Sequence, residues 1–360
     1  MSNENLIFVI NPGSTSTKVA VFSGNDELDN ENIQHSVEDL KGFSNIIEQY
    51  VFRKEILLQW LKKHHYNLND FSAIACRGGL LHPLPSGVYK VSPTLVNDLK
   101  TCRYGSHASN LAAIIGFDLS KEFDIPAYIA NPVTVDEMIP VARYSGLKGI
   151  QRKSIFHALN QKYIAQKAAK DIGKKYHEAN LIVVHLGGGI SVGAHKQGKV
   201  VDVNNALNGE GPYSAERSGT LPSLSLLKLC FSGKYTKEEM MKKLAGQGGM
   251  VSHVNSNNAK TIEDKAMEGD KQHKLLFDGM IYQTAKIIGE MSAVLSGDVD
   301  AIVLTGGMAR SKYLANEIGD YTSYIAPIKV FPGEDEMAAL AENAFSVISG
   351  ESEAFSYKEI

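Results

Sequence analysis

The sequence predicts an α/β protein made of two duplicated lobes, and three repeated signatures predict it. Each half carries a strand–turn–strand unit with glycine in its turn, then a strand ending in a glycine pair. A strand follows with a proline and, at the same offset in both halves, an acid. A supersecondary plan repeated at this length means duplicated lobes, because solenoid repeats are much shorter. Two such lobes, with glycine turns at their strand ends, are expected to face each other across a ligand-binding cleft.

The elements follow in order. Leu6 to Ile10 is a continuous apolar run that reads as a buried strand, followed by a Pro12-Gly13-Ser14-Thr15 turn. A second strand, Thr17 to Phe22, has apolar residues at alternating positions. The turn offers small hydroxyls and unblocked backbone N–H groups, which suit a polyphosphate oxygen, and Lys18 adds a positive charge behind it. Without a second glycine, and with a strand following, this is no Walker A loop. On its own the stretch also reads as a tight hairpin that binds nothing, which is the commoner use of such a turn.

Gly24-Asn25-Asp26 turns the chain into a third strand that runs into Ile33. Phe43 to Lys63 has helical periodicity, with Ile46, Ile47, Tyr50, Val51, Ile56, Leu57 and Trp60 on one apolar face. Ala73 to Leu80 is a short strand closing on Gly78-Gly79, Ser106 to Ile115 reads as a helix, and Ala127 to Ala130 as a strand. Asn131-Pro132 then leads to Asp136.

In the second half Leu181 to Leu186 is a strand, Gly187-Gly188-Gly189 its turn, and Ile190 to His195 the returning strand, before a Gln197-Gly198 turn and Val200 to Val203. Ala301 to Met308 matches Ala73 to Leu80 position by position. Ile328 to Phe331 is a strand whose Pro332 precedes Glu336 as Pro132 precedes Asp136. A polar tail from Glu351 is expected to fray or pack loosely.

Composition narrows the function. The chain has 360 residues, enough for two lobes, with 43% apolar and 21% charged residues. A net charge of −3, with Lys and Arg spread along the chain, argues against nucleic acid as a partner. Cys76, Cys102 and Cys230 form no metal-ligand spacing and cannot all pair, so a reduced, cytoplasmic setting is expected. Leu6 to Ile10 is too short for a signal peptide core, and no apolar run approaches the roughly 20 residues of a membrane helix.

Several residues carry candidate chemistry. Gly187-Gly188-Gly189 mirrors the first turn and allows the close backbone approach a phosphate needs; Gly306-Gly307-Met308 offers a backbone that can pack against a purine. Each also reads as a turn that requires positive φ. Arg77, at a glycine pair, and Arg217, in Ala215 to Thr220, are planar permanent cations suited to a phosphoryl group in transit; a loop arginine also commonly forms only a weak surface ion pair. His157 is placed in the first turn of a helix capped by Ser154, His185 ends a strand, and His107 opens a helix. A ring N–H from any of them can stabilise phosphoryl oxygens, or simply satisfy a structural hydrogen bond. His64-His65 reads as a solvated helix end. Asp136 and the cluster Glu334-Asp335-Glu336 follow the equivalent prolines. Mg²⁺ takes one or two carboxylates plus waters and phosphate oxygens, which suits such sparse acids, and acids at a helix N-terminus are the alternative.

Taken together, Val9 to Lys18, His185 to Gly189 and Pro332 to Met337 make the chain resemble the acetate-kinase-like acyl kinases of the acetate and sugar kinase/Hsp70/actin superfamily, and among these the butyrate kinases most. The resemblance covers nearly the whole chain. It implies two ribonuclease-H-like lobes of the actin-like ATPase fold. Residues 1–150 would form an N-terminal lobe on the carboxylate side, completed by a C-terminal helix over 338–360. Residues 151–337 would form the nucleotide side.

It also implies a homodimer or higher homo-oligomer and Mg-ATP-dependent phosphorylation of a short carboxylic acid, with no nucleic acid or membrane partner. By matching motif, Asn11, Ser14, Ser16 and Lys18 would lie near the phosphates and metal, as would the glycine loops, and Glu334, Asp335 and Glu336 near the metal. Arg77 and Arg217 would hold the carboxylate and the moving phosphoryl group, His157 and His185 would stabilise it, His107 would lie close by, and Asp136 would position substrate or metal.

There are departures from acetate kinases. Gly188 stands where they have Asn, Ala158 where they have Gly, Glu334-Asp335-Glu336 where they have Asn-Glu-Glu, and the chain is shorter. These favour butanoate over acetate. A kinase for acetate, propionate or a branched acid is the runner-up, since one methylene is worth only about 1–3 kcal/mol. A non-catalytic nucleotide-binding clamp of the same superfamily is the alternative from another class, and it has no need of two loop arginines.

Overall fold

The computed structural model describes residues 5–358. In the first half lie β1 (Leu6–Pro12), β2 (Ser16–Ser23), β3 (Asp26–Gln34), β4 (Phe71–Arg77), β5 (Val88–Lys90) and β6 (Ala127–Ala130). The second half has β7 (Asn180–Leu186), β8 (Ile190–Lys196), β9 (Lys199–Val203), β10 (Ala301–Gly306) and β11 (Ile328–Pro332), with β12 (Phe355–Ser356) near the end. One sheet runs β12-β5-β6-β4-β1-β2-β3 and the other β11-β10-β7-β8-β9.

The duplication lies in the strand pairing. β1 pairs antiparallel with β2, β2 antiparallel with β3, β1 parallel with β4, and β4 parallel with β6. β7, β8, β9, β10 and β11 repeat the same five-strand order and directions. The central strands β1 and β7 are buried along their whole length, which is why each reads as a continuous apolar run.

Contacts divide the chain into two compact units. One takes the chain up to Val135 and again from Asp335; the other is Asp136–Glu334. The divisions fall at 135/136 and 334/335, in place of the expected 150/151 and 337/338. The segment after Val135 is held by the second unit: Glu137 accepts from Val200 N–H (2.8 Å) and pairs with Lys162 (2.6 Å), and Ile139 N–H donates to the Val201 carbonyl. The core of the first unit centres on Phe8, with the rings of Trp60 at 6.4 Å and Phe71 at 5.8 Å. In the second unit Phe277, Met280, Ile281 and Ile288 of the helix Lys271–Val294 pack on the sheet.

Four local expectations are corrected. The helix predicted over 43–63 begins at Tyr50, after one 3-10 turn at Ile47–Gln49, because the Asn45 side chain captures the Ile47 and Glu48 N–H groups. The helix predicted from Ser106 is Asn110–Phe123, so His107 precedes it; the His107 ring takes the Ser109 N–H. The helix predicted to be capped by Ser154 is Ala158–Asp171, with His157 at its N-cap position and no side-chain cap, so Ser154 does not cap it. The tail is docked: β12 pairs in parallel with β5, and Tyr357 is buried.

Candidate functional site

In the first unit the β1–β2 hairpin closes through Gly13 N–H donating to the Ser16 carbonyl at 2.8 Å, leaving Ser14 and Thr15 exposed at its tip. Asn11 lies opposite Lys18 in register. Asn11 Nδ2 donates to Glu336 Oε2 at 2.8 Å, and Glu336 Oε1 is 3.4 Å from Arg77 Nη2. β1 and β4 are parallel neighbours, so their ends bring Asn11 and Arg77 to the residue that opens the helix Glu336–Ile348. Arg77 is 6% exposed, and its Nη1 is buried with no hydrogen-bond partner. A buried guanidinium N–H in that state is costly unless an anion takes it.

Sequence reasoning missed Arg53, which is fully buried in the helix Tyr50–Lys63. Its Nη1 donates to the Gly13 carbonyl (2.8 Å), the Ser16 carbonyl (2.9 Å) and Thr17 Oγ1 (3.1 Å); its Nη2 donates to the Ser14 carbonyl (3.1 Å) and, with Nε, to Gln49 Oε1. The hairpin carbonyls are thus drawn toward one buried cation. Burial pulls the Arg53 pKa down to about 10. The available signal was an arginine at the spacing of the apolar face, between Tyr50 and Leu57.

His107 is exposed, with Nδ1 2.8 Å from Ser109 Oγ. His64, read as solvated, is instead stacked on Trp60 at 4.4 Å with Nδ1 2.5 Å from Asp29 Oδ2.

In the second unit His185, near the end of β7, stacks on His157 with ring centroids 3.8 Å apart and planes 11° from parallel. His185 Nδ1 is 2.7 Å from Asn160 Oδ1, and Asn160 Nδ2 donates to the Glu334 carbonyl at 2.6 Å. The glycine turn after β7 closes through Gly187 N–H to the Gly189 carbonyl (3.1 Å), while Ser214 Oγ donates to the Gly188 carbonyl (2.6 Å). Arg217 Nη1 donates to the Ala206 carbonyl at 2.6 Å, and a Cβ at Gly189 would overlap the Arg217 guanidinium. Glycine at 189 is therefore what lets Arg217 reach the loop. Burial lowers the Arg217 pKa, against the opposing field of Glu216.

A cavity of about 610 Å³ opens beside this loop, with Gly187, Gly188, Phe277, Gly307, Met308 and Glu334 among its lining residues. Sequence reasoning missed its polar wall of Asn258, Lys260 and Glu263, with Ser311 donating to Glu263 Oε1 at 2.5 Å. Gly306 does not line this cavity; at φ +91°, a Cβ there would strike the Leu186 backbone, so its glycine serves strand packing.

Asp136 is held in a bidentate pair by Arg143 at 2.6 and 2.7 Å, a partner the sequence did not reveal. Of the three consecutive acids, Glu334 belongs to the second unit, and Asp335 and Glu336 to the first. Among the described residues no group of three or more His, Cys, Asp or Glu side chains is placed to hold a metal ion.

Residues 137–318 match the acetokinase family. Butyrate kinase 2 of Clostridium acetobutylicum is 51% identical over 352 residues, covering 98% of this chain and 99% of that protein. The chain belongs to the acetokinase family. Butyrate kinase 1 of the same organism is 49% identical with the same coverage.

Among solved structures, this acetokinase-family chain superposes on Porphyromonas gingivalis acetate kinase with a TM-score of 0.76 at 18% identity, covering 96% of this chain and 100% of that one. For a propionate kinase of Francisella tularensis the TM-score is 0.73 at 20% identity, covering 94% and 98%. These likenesses bear on fold, and with the repeated strand order they identify the two duplicated lobes of the actin-like ATPase fold. As a family member the chain is an ATP-dependent phosphotransferase with a carboxyl group as acceptor. Among the described residues no helix is long and apolar enough to cross a membrane.

Proposed function

We propose that this chain transfers the γ-phosphoryl group of ATP reversibly to the carboxylate of butanoate, giving butanoyl phosphate and ADP. The observation that carries this proposal is half-identity, over nearly the full length, with Butyrate kinase 2. A carboxylate oxygen forms a bond to the γ-phosphorus as the bond to the β–γ bridging oxygen breaks, and ADP leaves with that electron pair. The carboxylate is already anionic, so no general base is needed. The protein's work is positioning and charge neutralisation.

The roles are those that the family resemblance implies for the matching positions. Gly307 and Met308, in the cavity wall, receive the adenosine. Gly187, Gly188 and Gly189, and the hairpin with Ser14, Ser16 and Lys18, lie along the phosphates. Arg77, with an unsatisfied buried N–H, and Arg217 hold the carboxylate and the phosphoryl group. His157 and His185 stabilise the phosphoryl oxygens, with His107 nearby, and Asp136 positions substrate through its fixed pairing with Arg143. Mg²⁺ neutralises phosphate charge when bound. Asn11 and Glu336 are joined to each other and suit such an ion, which needs few protein ligands, and Glu334 and Asp335 complete the candidate acids.

A homo-oligomer is supported by the helix Ser223–Cys230, which buries none of its residues and exposes Leu224 and Leu227, with Phe231 following. Three free cysteines support a reduced, cytoplasmic setting.

ADP release from Mg-ATP should be measured with acids from acetate to pentanoate, isobutyrate and a blank without acid. A maximum of kcat/KM at butanoate, with a hydroxylamine-trappable product, is expected. A maximum at acetate or propionate would overturn the chain-length assignment. Equal ADP release without acid would overturn the kinase reading in favour of a nucleotide clamp.

A further inference from the structure

We infer that the stacked histidines are held with opposite hydrogen placement at Nδ1, a lone pair on His157 and a hydrogen on His185, by the adjacent carboxamides of Asn160 and Gln161 on the helix Ala158–Asp171.

The Asn160 amide has one sensible orientation. Nδ2 donates to the Glu334 carbonyl at 2.6 Å, and flipping the amide would set two oxygens against each other at that distance. Its Oδ1 therefore faces His185 Nδ1 at 2.7 Å. A carboxamide oxygen only accepts, so His185 Nδ1 carries the hydrogen.

Gln161 is fixed in the same way. Its Nε2 donates to the Ser191 carbonyl at 3.0 Å and to Ser191 Oγ at 2.8 Å. Its Oε1 accepts from His195 Nε2 at 3.0 Å, which leaves His195 Nδ1 to accept the Tyr176 hydroxyl at 2.8 Å. His195 is wholly buried, and burial together with Lys162 lowers its pKa well below the ordinary value, so the neutral ring this chain requires is the stable one. Ser191 is also wholly buried, and its Oγ already accepts from Gln161. Among the described residues its hydroxyl hydrogen has one acceptor, His157 Nδ1 at 2.9 Å. His157 Nδ1 therefore holds a lone pair and Nε2 holds the hydrogen.

Two neighbouring amides on one helix thus impose opposite hydrogen placements on rings 3.8 Å apart. The consequence rests on the proposed reaction: His157, as a neutral ring, donates Nε2–H to the transferring phosphoryl group without first taking up a proton. Gln161 and Ser191 are positioning residues for that donor.

The test is a two-bond ¹H–¹⁵N correlation spectrum of the full-length, ¹⁵N-histidine-labelled protein without substrate, with peaks assigned from His157→Asn and His185→Asn. The expected spectrum shows a lone pair on Nδ1 and hydrogen on Nε2 for His157, and hydrogen on Nδ1 for His185. The same tautomer at both rings, or the two exchanged, would overturn the inference.

Ser191→Ala removes only the hydroxyl. It should release His157 into a tautomer mixture, leave His185 unchanged, and lower kcat with butanoate about tenfold with KM for ATP within twofold. Wild-type kcat in that variant would overturn the positioning role. The spectrum is read on the resting protein, so failure of the acyl-phosphate assay counts against the proposed reaction and not against the tautomers.

Discussion

Two buried arginines of the first unit illustrate opposite uses of one side chain. Arg53 engages every guanidinium N–H with hairpin carbonyls, Thr17 and Gln49, whereas Arg77 keeps Nη1 unpaired. Arg53→Met should take the buried donor from the Gly13 and Ser14 carbonyls, leave Ser16 with the Gly13 N–H alone, and cost about 2 kcal/mol in urea unfolding. Arg77→Ala should leave the unfolding midpoint near that of the wild type and lower kcat by about 10²–10³, as loss of a preorganised charge stabiliser does. Arg217→Ala should show a similar fall. Near-native turnover in both alanine variants, with the fold intact, would remove the arginines from the site. Arg77 and Arg217 were legible because glycine motifs flank them. Arg53 was not, because the carbonyls it gathers lie about forty positions away.

At the level of elements, central strands were the most legible and chain ends the least. β6 was read to its exact bounds, Ala127–Ala130, since a buried strand needs only a short apolar run and a following turn. β12, with two residues, is too short to show any period. It is held by what surrounds it: Tyr357 stacks on His82 at 4.6 Å and donates to Asp98 Oδ2 at 2.7 Å, and His82 Nε2 lies 2.8 Å from the Lys358 carbonyl. Asp98 is 1% exposed, so Tyr357→Phe takes a donor from a buried carboxylate and should cost about 1–3 kcal/mol. Thermal unfolding should show it, along with faster amide exchange in the helix Pro93–Lys100. An unchanged Tm would mean that the tail is not docked through this bond.

Across the molecule, buried histidines set the pH response. His195 and His35 have pKa values below the ordinary 6.5, each mainly from burial, with Lys162 and Arg53 respectively adding to the shift. The unfolded chain therefore binds these protons first. Stability is full above about pH 6.5 and falls as pH drops below it, until the folded rings protonate. Asp202 has the opposite sign: burial raises its pKa above 3.8, so its contribution falls as pH rises from about 3.8 through the folded value. Urea midpoints should decline between pH 7 and the lower fives. A flat profile there would contradict the neutral His195 on which the Tyr176–His195–Gln161 chain depends.

The sequence by itself determined the duplicated architecture and the glycine-marked loops, because apolar runs, turn residues and their repeated order are local properties of the chain. Tertiary structure alone decided that Arg53 gathers the hairpin carbonyls and that His157 lies on His185. It also decided that Asn160 and Gln161 place the hydrogens on those rings, and that Arg143 holds Asp136. Each of these depends on a hydrogen bond or ring contact made by a side chain whose own neighbours carry no distinguishing pattern. Only packing of the sheets and helices brings them within about 3–4 Å, the range over which such interactions form.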